Sequence, residues 1–465
     1  MVFVTNSSIQ ASDNNRSAIF NACYHNSLHE FDDSYNCSDS FTYSTDVNNF
    51  RSKLRRLETL MLGDSDSDSG DVTGDRKLFA GGDVDLPEMM LGFPKRDLKQ
   101  VLIACAKSVS DNDELNARLL ISELRRMVSV AGEPIQRIGA YMLEGLIARL
   151  SSSGSTIYKS DLALNTRVLY EICPCSKYGY MSANGAIAEA MKCEKRVHII
   201  DFCIEDGSQW VPLIQAFARR PGGPPHIRIS GLHHYPNGLG KVGIRLCKLA
   251  KACNVPFGSV HEWNGIPFHE TNATFEFNTE VGLESFRDRP GEALAVNFAF
   301  VLHRVPDESV STQNHRDRVL RLVKSMKPKI VTLVEQESNT NTAPFYPRFL
   351  EALDYYNAMF ESIDITLPRH HKERINVEQH CLARDVVNII ACEGSERVER
   401  HELLGKWKLR FSMAGFSPCR MSSLVNGTIK RLLNKCNERY RVEERDGALY
   451  LGWMNRDLVS CCAWK

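Results

Sequence analysis

The sequence predicts an α/β fold: a doubly wound parallel sheet with an α-helical layer before it, an antiparallel C-terminal edge after it, and a disordered tail in front. Three observations predict this. Apolar residues recur at helical spacing from Lys95, short apolar runs alternate with helical segments after Lys195, and the chain ends in three strand-like runs separated by turn residues.

The tail covers residues 1–94. Its first 80 residues hold 13 Ser and 8 Asn, with 7 Lys or Arg against 12 Asp or Glu. So little aliphatic surface cannot offset the entropy of ordering the chain. Leu54, Leu57 and Met61 interrupt it at helical spacing and read as a short binding helix. The acidic run Asp64 to Asp71 that follows reads as a solvated tether, an acidic activation segment or a phosphorylation site.

Residues 95–465 form the folded unit, mainly helical over 95–192 and mainly α/β over 195–465. Leu98, Leu102, Cys105 and Val109 line one helix, Leu120, Leu124, Met127 and Val128 a second, and Ile135, Ile138, Met142, Leu146 and Leu150 a third. Asp111 with Glu114 reads as an N-terminal cap for the second helix, and Gly132 with Pro134 separates the second from the third.

Val197-His198-Ile199-Ile200, ending at Asp201, is the first strand, and a loop containing Gly207 leads to a helix over 210–218. His226 to Ser230 is the second strand, followed by a helix over 242–252. Ala293 to Val301 and Ile330 to Val334 are further buried strands. Strands separated by helices require right-handed crossovers and a parallel sheet covered on both faces. Tyr440 to Glu444, Ala448 to Met454 and Leu458 to Trp464 are instead joined by Asp446-Gly447 and Asn455-Arg456-Asp457, which mark tight antiparallel turns.

Composition limits what this fold can do. In 465 residues, 57 Lys or Arg balance 57 Asp or Glu, so no global field draws the chain to nucleic acid. The short basic pairs Lys95-Arg96, Arg125-Arg126, Arg219-Arg220 and Lys430-Arg431 remain for a local contact. Fifteen cysteines without a C-x-x-C pair point to a reducing compartment and away from a zinc ribbon. No apolar run approaches the ~18 residues of a membrane span, so no membrane contact is expected.

Ligands of such sheets bind at the carboxyl ends of the strands, which makes Asp201 and Gly207 the cofactor-binding candidates. The loop from Asp201 to Trp210 has one glycine where a nucleotide loop uses several, and Glu205 and Asp206 would repel a phosphate. It reads as a vestigial site, a structural turn in which Asp201 accepts from backbone N–H groups. Gly238-Leu239-Gly240-Lys241-Val242-Gly243 matches a dinucleotide fingerprint but follows the second strand, and reads as a flexible loop before a helix. His370, His371 and His380 have no ligand spacing. We therefore expect no catalytic residue, no cofactor and no metal. The rival readings are an S-adenosylmethionine-dependent methyltransferase and a direct DNA-binding protein.

Val197-His198-Ile199-Ile200-Asp201 resembles the VHIID motif of the plant GRAS transcriptional regulators. The helical layer from Leu98 to about Tyr170 resembles their first leucine-rich region. Pro344-Phe345-Tyr346-Pro347-Arg348 resembles the PFYRE motif, Arg397-Val398-Glu399-Arg400 the RVER element, and Trp407, Trp453 and Cys462-Ala463-Trp464 the closing SAW motif. Leu54 to Gly63, Gly132 to Arg137, Gln336 to Asn341 and Leu451 to Arg456 are similar to the scarecrow-like branch named for phytochrome A signal transduction.

The resemblance implies a Rossmann-like, methyltransferase-like sheet under a helical cap. It also implies a nuclear protein, with the cytoplasm as a second location, that works in light, hormone and developmental signalling. Its partners would be other transcription factors or GRAS proteins, as a homo- or heterodimer, with DNA reached mainly indirectly. Leu98, Leu102, Leu120 and Leu124 of the cap are the partner-binding candidates. The chain departs from the family pattern after Asp201, at His233-His234, between Tyr158 and Val168, and from Gly258 to Arg289, changes that bear on partner choice and on the level of activity.

Overall fold

The computed structural model describes residues 97–154, 166–232, 238–258, 261–262 and 291–465. The tail, His233-His234, Lys95-Arg96 and most of the two variable stretches lie outside these residues.

The side-chain period of two decides how the sheet is covered. Along β1 (Arg196–Asp201), β4 (Ala293–Ala299) and β5 (Ile330–Gln336), Val197, Ile199, Ala295, Ala299, Ile330 and Val334 enter one hydrophobic core. Ile200, Leu294, Val296, Phe298, Val331 and Leu333 enter a second. Both faces are dry, which is why these strands read as continuous apolar runs. β2 (His226–Gly231) and β3 (His261–Glu262) extend the parallel ladder, with Val197 opposite Ile227 on one side and Ala293 on the other.

β6 (Pro418–Cys419), β7 (Tyr440–Arg445), β8 (Ala448–Trp453) and β9 (Arg456–Trp464) form the antiparallel edge. The strand order is β3-β2-β1-β4-β5-β9-β8-β7, with β6 also on β9. Asp446 and Gly447 both take positive φ, 50° and 74°, the backbone of a two-residue hairpin turn. The next turn is Met454-Asn455, one residue earlier than expected, with Met454 at φ 49°.

The helical layer comprises α1 (Leu98–Ser110), α2 (Glu114–Met127), α3 (Pro134–Leu150), α4 (Thr166–Ile172) and α5 (Pro174–Ala190). The cap of α2 is Asp113, not Asp111: its Oδ1 accepts from Asn116 N at 3.2 Å. A reciprocal capping box does occur, one helix later, where Gln136 Oε1 accepts from Glu133 N at 3.0 Å. α6 (Trp210–Ala218) has the expected bounds. α7 begins four residues early, at Gly238 (Gly238–Ala252), so the glycine-rich run lies within its first turns and not in a loop.

α8 (His315–Ser325), α12 (Leu404–Met413) and α13 (Ser423–Cys436) complete the core. α9 (Phe345–Asp364), α10 (Lys372–Val377) and α11 (Ala383–Ala391) return to the cap: a methyl added at Gly145 of α3 would stand 3.0 Å from Ile390 of α11. Among the described residues no helix is long and apolar enough to cross a membrane, and every cysteine is a free thiol.

Candidate functional site

β1 delivers Asp201 to the point where the strand order reverses, between β1 and β4, and there the carboxylate is 1% exposed. Oδ1 accepts from Cys203 N and Asn297 Nδ2, both at 3.2 Å, and Oδ2 from Trp210 Nε1 at 2.8 Å. One donor is thus the expected backbone N–H; the other two are side chains. Asn297 also donates to Gln209 Oε1 at 3.0 Å and accepts from Thr332 Oγ1 at 2.9 Å, and Asn184 Nδ2 donates to Gln209 O at 2.6 Å. Burial pushes the Asp201 carboxyl up to about 6 against the pull of its three donors.

The loop after β1 is folded onto the protein. Gly207 takes φ +75°, and a methyl there would meet Val242 Cγ1 at 2.7 Å. The Ile204 side chain fills the space over Gly231. Asp206 accepts from Ser208 N and Oγ and from Arg245 Nη1, at 3.1, 2.6 and 2.8 Å. Asp206, one of the two acids expected to repel a phosphate, therefore serves the turn and its contact with α7. In the same strand, His198 holds Ser230 Oγ through Nε2 and Arg228 through Nδ1, both at 2.9 Å.

The PFYRE-like residues join core to cap. Pro344 opens α9, Phe345 lies 4.0 Å beneath the Arg149 guanidinium of α3, and Tyr346 lies 5.6 Å from Lys107 of α1. Arg348, 2% exposed, donates to Ile389 O, Ala343 O and Glu393 Oε1 at 2.9, 3.0 and 2.5 Å. Glu393 also receives Arg149 at 2.9 Å. Sequence reading missed Arg137, whose buried guanidinium reaches Glu378 at 3.1 Å and Asp364 at 2.7 Å; Arg374 meets the same Glu378 at 2.6 Å.

The RVER-like residues are clamps. Arg397 donates to Thr340 O and Asn341 O at 2.6 and 2.9 Å, and Arg400 to Arg397 O and Gly394 O at 2.8 and 2.6 Å. Glu399 Oε1 accepts from Arg304 Nε at 3.1 Å. Its Oε2 lies 2.9 Å from His303 Nε2 and 3.7 Å from His401 Nε2. Burial opposes a charge on His303, but the Glu335 and Glu399 carboxylates outweigh it and raise the imidazole to about 9. Burial and the His303 charge hold His401 well below its ordinary value.

Of the closing tryptophans, Trp407 lies under Arg316 at 4.9 Å, Trp464 stacks on Phe411 at 4.9 Å and Trp453 donates to Glu361 at 3.1 Å. Ala463 sits opposite Thr332. These residues build the antiparallel edge and its cover.

Leu98, Leu102, Leu120 and Leu124 are all buried between cap helices. Their helical spacing marks the inner face of the cap, so these side chains pack in the core; the outer face of α2 carries Leu115, 74% exposed, and Leu119, 44% exposed. His370, His371 and His380 do not converge; the close His and carboxylate group among the described residues is His303, Glu399 and His401. A signal for it stood in the sequence, since His401 directly follows the RVER-like run, but its partners lie far away in the chain.

The GRAS domain family matches residues 98–465. The chain is 56% identical over 471 residues to the scarecrow-like transcription factor PAT1 of Arabidopsis thaliana, covering 94% of this chain and 93% of that protein. It is 61% identical over 394 residues to scarecrow-like protein 21 of Arabidopsis thaliana, covering 82% and 91%. The crystal structure of SCL7 from Oryza sativa superposes with a TM-score of 0.67 at 31% identity, covering 80% of this chain and all of that one.

Proposed function

The chain belongs to the GRAS domain family, and from that premise we propose that it acts by holding other proteins on its surfaces, with no reaction run at the carboxyl end of its sheet. It is a plant transcriptional regulator of the scarecrow-like branch, working in light and hormone signalling. Nuclear action follows from that role, with residence in the cytoplasm as a second location. Among the partners we place transcription factors and other GRAS proteins, including a second copy of this chain.

The observation that carries the non-enzymatic reading is the closed network around Asp201. An acid that holds a cofactor ribose must present a carboxylate oxygen to it, and Asp201 is 1% exposed, with both oxygens already turned to protein donors. Gly207 is likewise committed to packing against Val242. Of the basic pairs, Arg219-Arg220 is not free for DNA: Arg220 is 9% exposed and spends its guanidinium on Gly223 O, Met191 O and Glu194 O, whereas Arg126, Lys430 and Arg431 are exposed.

Titration calorimetry of the full chain with S-adenosylmethionine tests the reading. No heat above dilution is expected. A micromolar affinity, abolished by Asp201→Asn in a folded protein, would establish the methyltransferase alternative instead.

A further inference from the structure

We infer that His303, Glu399 and His401 form a binding site for one divalent transition-metal ion of the zinc type, tying the RVER-like segment to the carboxyl ends of β4 and β5. All three side chains are at most 1% exposed, and their donor atoms lie within 4.8 Å of one another. Donors on a tetrahedral zinc with bonds of ~2.0–2.1 Å stand ~3.4 Å apart. The observed 2.9 Å and 3.7 Å from Glu399 Oε2 to the two imidazole Nε2 atoms bracket that value.

Each ligand is also oriented from behind, as metal ligands are. Glu335 Oε1 accepts the backbone N–H groups of Val301, Leu302 and His303 at 3.1, 2.8 and 3.3 Å, which fixes the carboxylate. Its Oε2 then takes His303 Nδ1 at 2.7 Å, turning Nε2 toward Glu399. His401 Nδ1 lies 3.0 Å from Thr340 Oγ1. With Nδ1 donating, the Thr340 hydroxyl is left to donate to Glu399 O at 3.5 Å, and the lone pair of His401 stands on Nε2. Arg304 steadies Glu399 from its other oxygen.

The competing occupant is a proton on His303, which would sit between Glu335 and Glu399. It explains one imidazole and not the other. His401 Nε2 is buried with no hydrogen-bond partner among the described residues, while His303 Nε2 lies 2.9 Å from Glu399 Oε2. A proton would also leave an imidazolium stacked 4.4 Å from a second imidazole. A metal ion uses both Nε2 atoms at once. Three protein ligands leave the fourth position of zinc to water.

The test is elemental analysis of the full chain, expressed with added zinc and purified without chelator, together with the visible absorption of the Co2+-loaded protein. One zinc per chain and the d–d bands of tetrahedral cobalt are expected, both lost in His401→Ala. Thr340→Val keeps the ligands and removes only the oxygen that orients His401, so zinc should bind about 10- to 100-fold more weakly. A wild-type chain that takes up neither zinc nor cobalt, or an affinity unchanged in both variants, overturns the site and leaves the proton in possession.

Discussion

At the scale of single residues, Asp201 shows how a ligand-side acid becomes a structural one. Its carboxyl ordinarily titrates at 3.8 and here at about 6, because burial penalises the charge more than three donors relieve it. The folded state therefore favours the protonated form. The stability this adds is complete below pH ~4 and is lost as pH rises through about 6. The gap between the two values corresponds to ~3 kcal/mol. Glu144, pushed up by burial to about 7, titrates in the same window, so the difference between two proteins is the useful quantity. Denaturant titrations of the wild type and Asp201→Asn should show the wild type losing about 3 kcal/mol more between pH ~4 and ~7. A pH-independent difference would mean that Asp201 is not the group titrating there. The aspartate at the end of an apolar run was legible in the sequence as a turn residue. Its side-chain donors were not, because Asn297 comes from a strand 96 positions away.

At the scale of elements, period and punctuation carried the reading. Gly132 and Pro134 do separate α2 from α3, and the Asp446-Gly447 turn falls where the dipeptide places it. Gly238 and Gly240 misled because glycine lowers helix propensity, yet the start of α7 is set by Leu239, Val242 and Leu246 entering the core. The docking of cap helices on α9 to α11 was invisible, since Arg137 and Glu378 are 241 residues apart. Removing Arg137 leaves Glu378 to Arg374 alone and Asp364 to Arg369, so breaking this shared buried network from one side costs less than an isolated pair would, about 3 kcal/mol at most. Arg137→Ala should lower the unfolding free energy by that amount, and hydrogen exchange should report faster opening of α3, α9 and α11 than of β1 and β4. Uniform exchange across cap and sheet would show that Arg137 supports the fold as a whole and not the docking of the cap.

At the scale of the whole molecule, the inner face of the cap is used up by its own core, so the association proposed above must employ what the helices leave outside. On α2 the buried side comprises Ala117, Leu120, Ile121 and Leu124. Leu115 and Leu119, one turn apart, stand on the outer side next to the exposed Arg118–Glu114 ion pair. Two exposed leucines beside an ion pair make a small apolar patch with a polar edge, and we propose it as the contact surface. A second copy of this chain would bring the same patch to a two-fold axis, where each leucine pair covers the other. Sedimentation equilibrium should then show the wild type self-associating, and Leu115→Asp with Leu119→Asp remaining monomeric at the same concentrations. Because both side chains already face water, the melting temperature of the double variant should match that of the wild type, which separates lost association from lost folding. Leu120→Asp, placed on the inner face, should instead unfold the cap. An association constant unaffected by the outer pair would remove α2 from the interface and turn attention to Leu409 and Met413 on α12, which are 65% and 77% exposed.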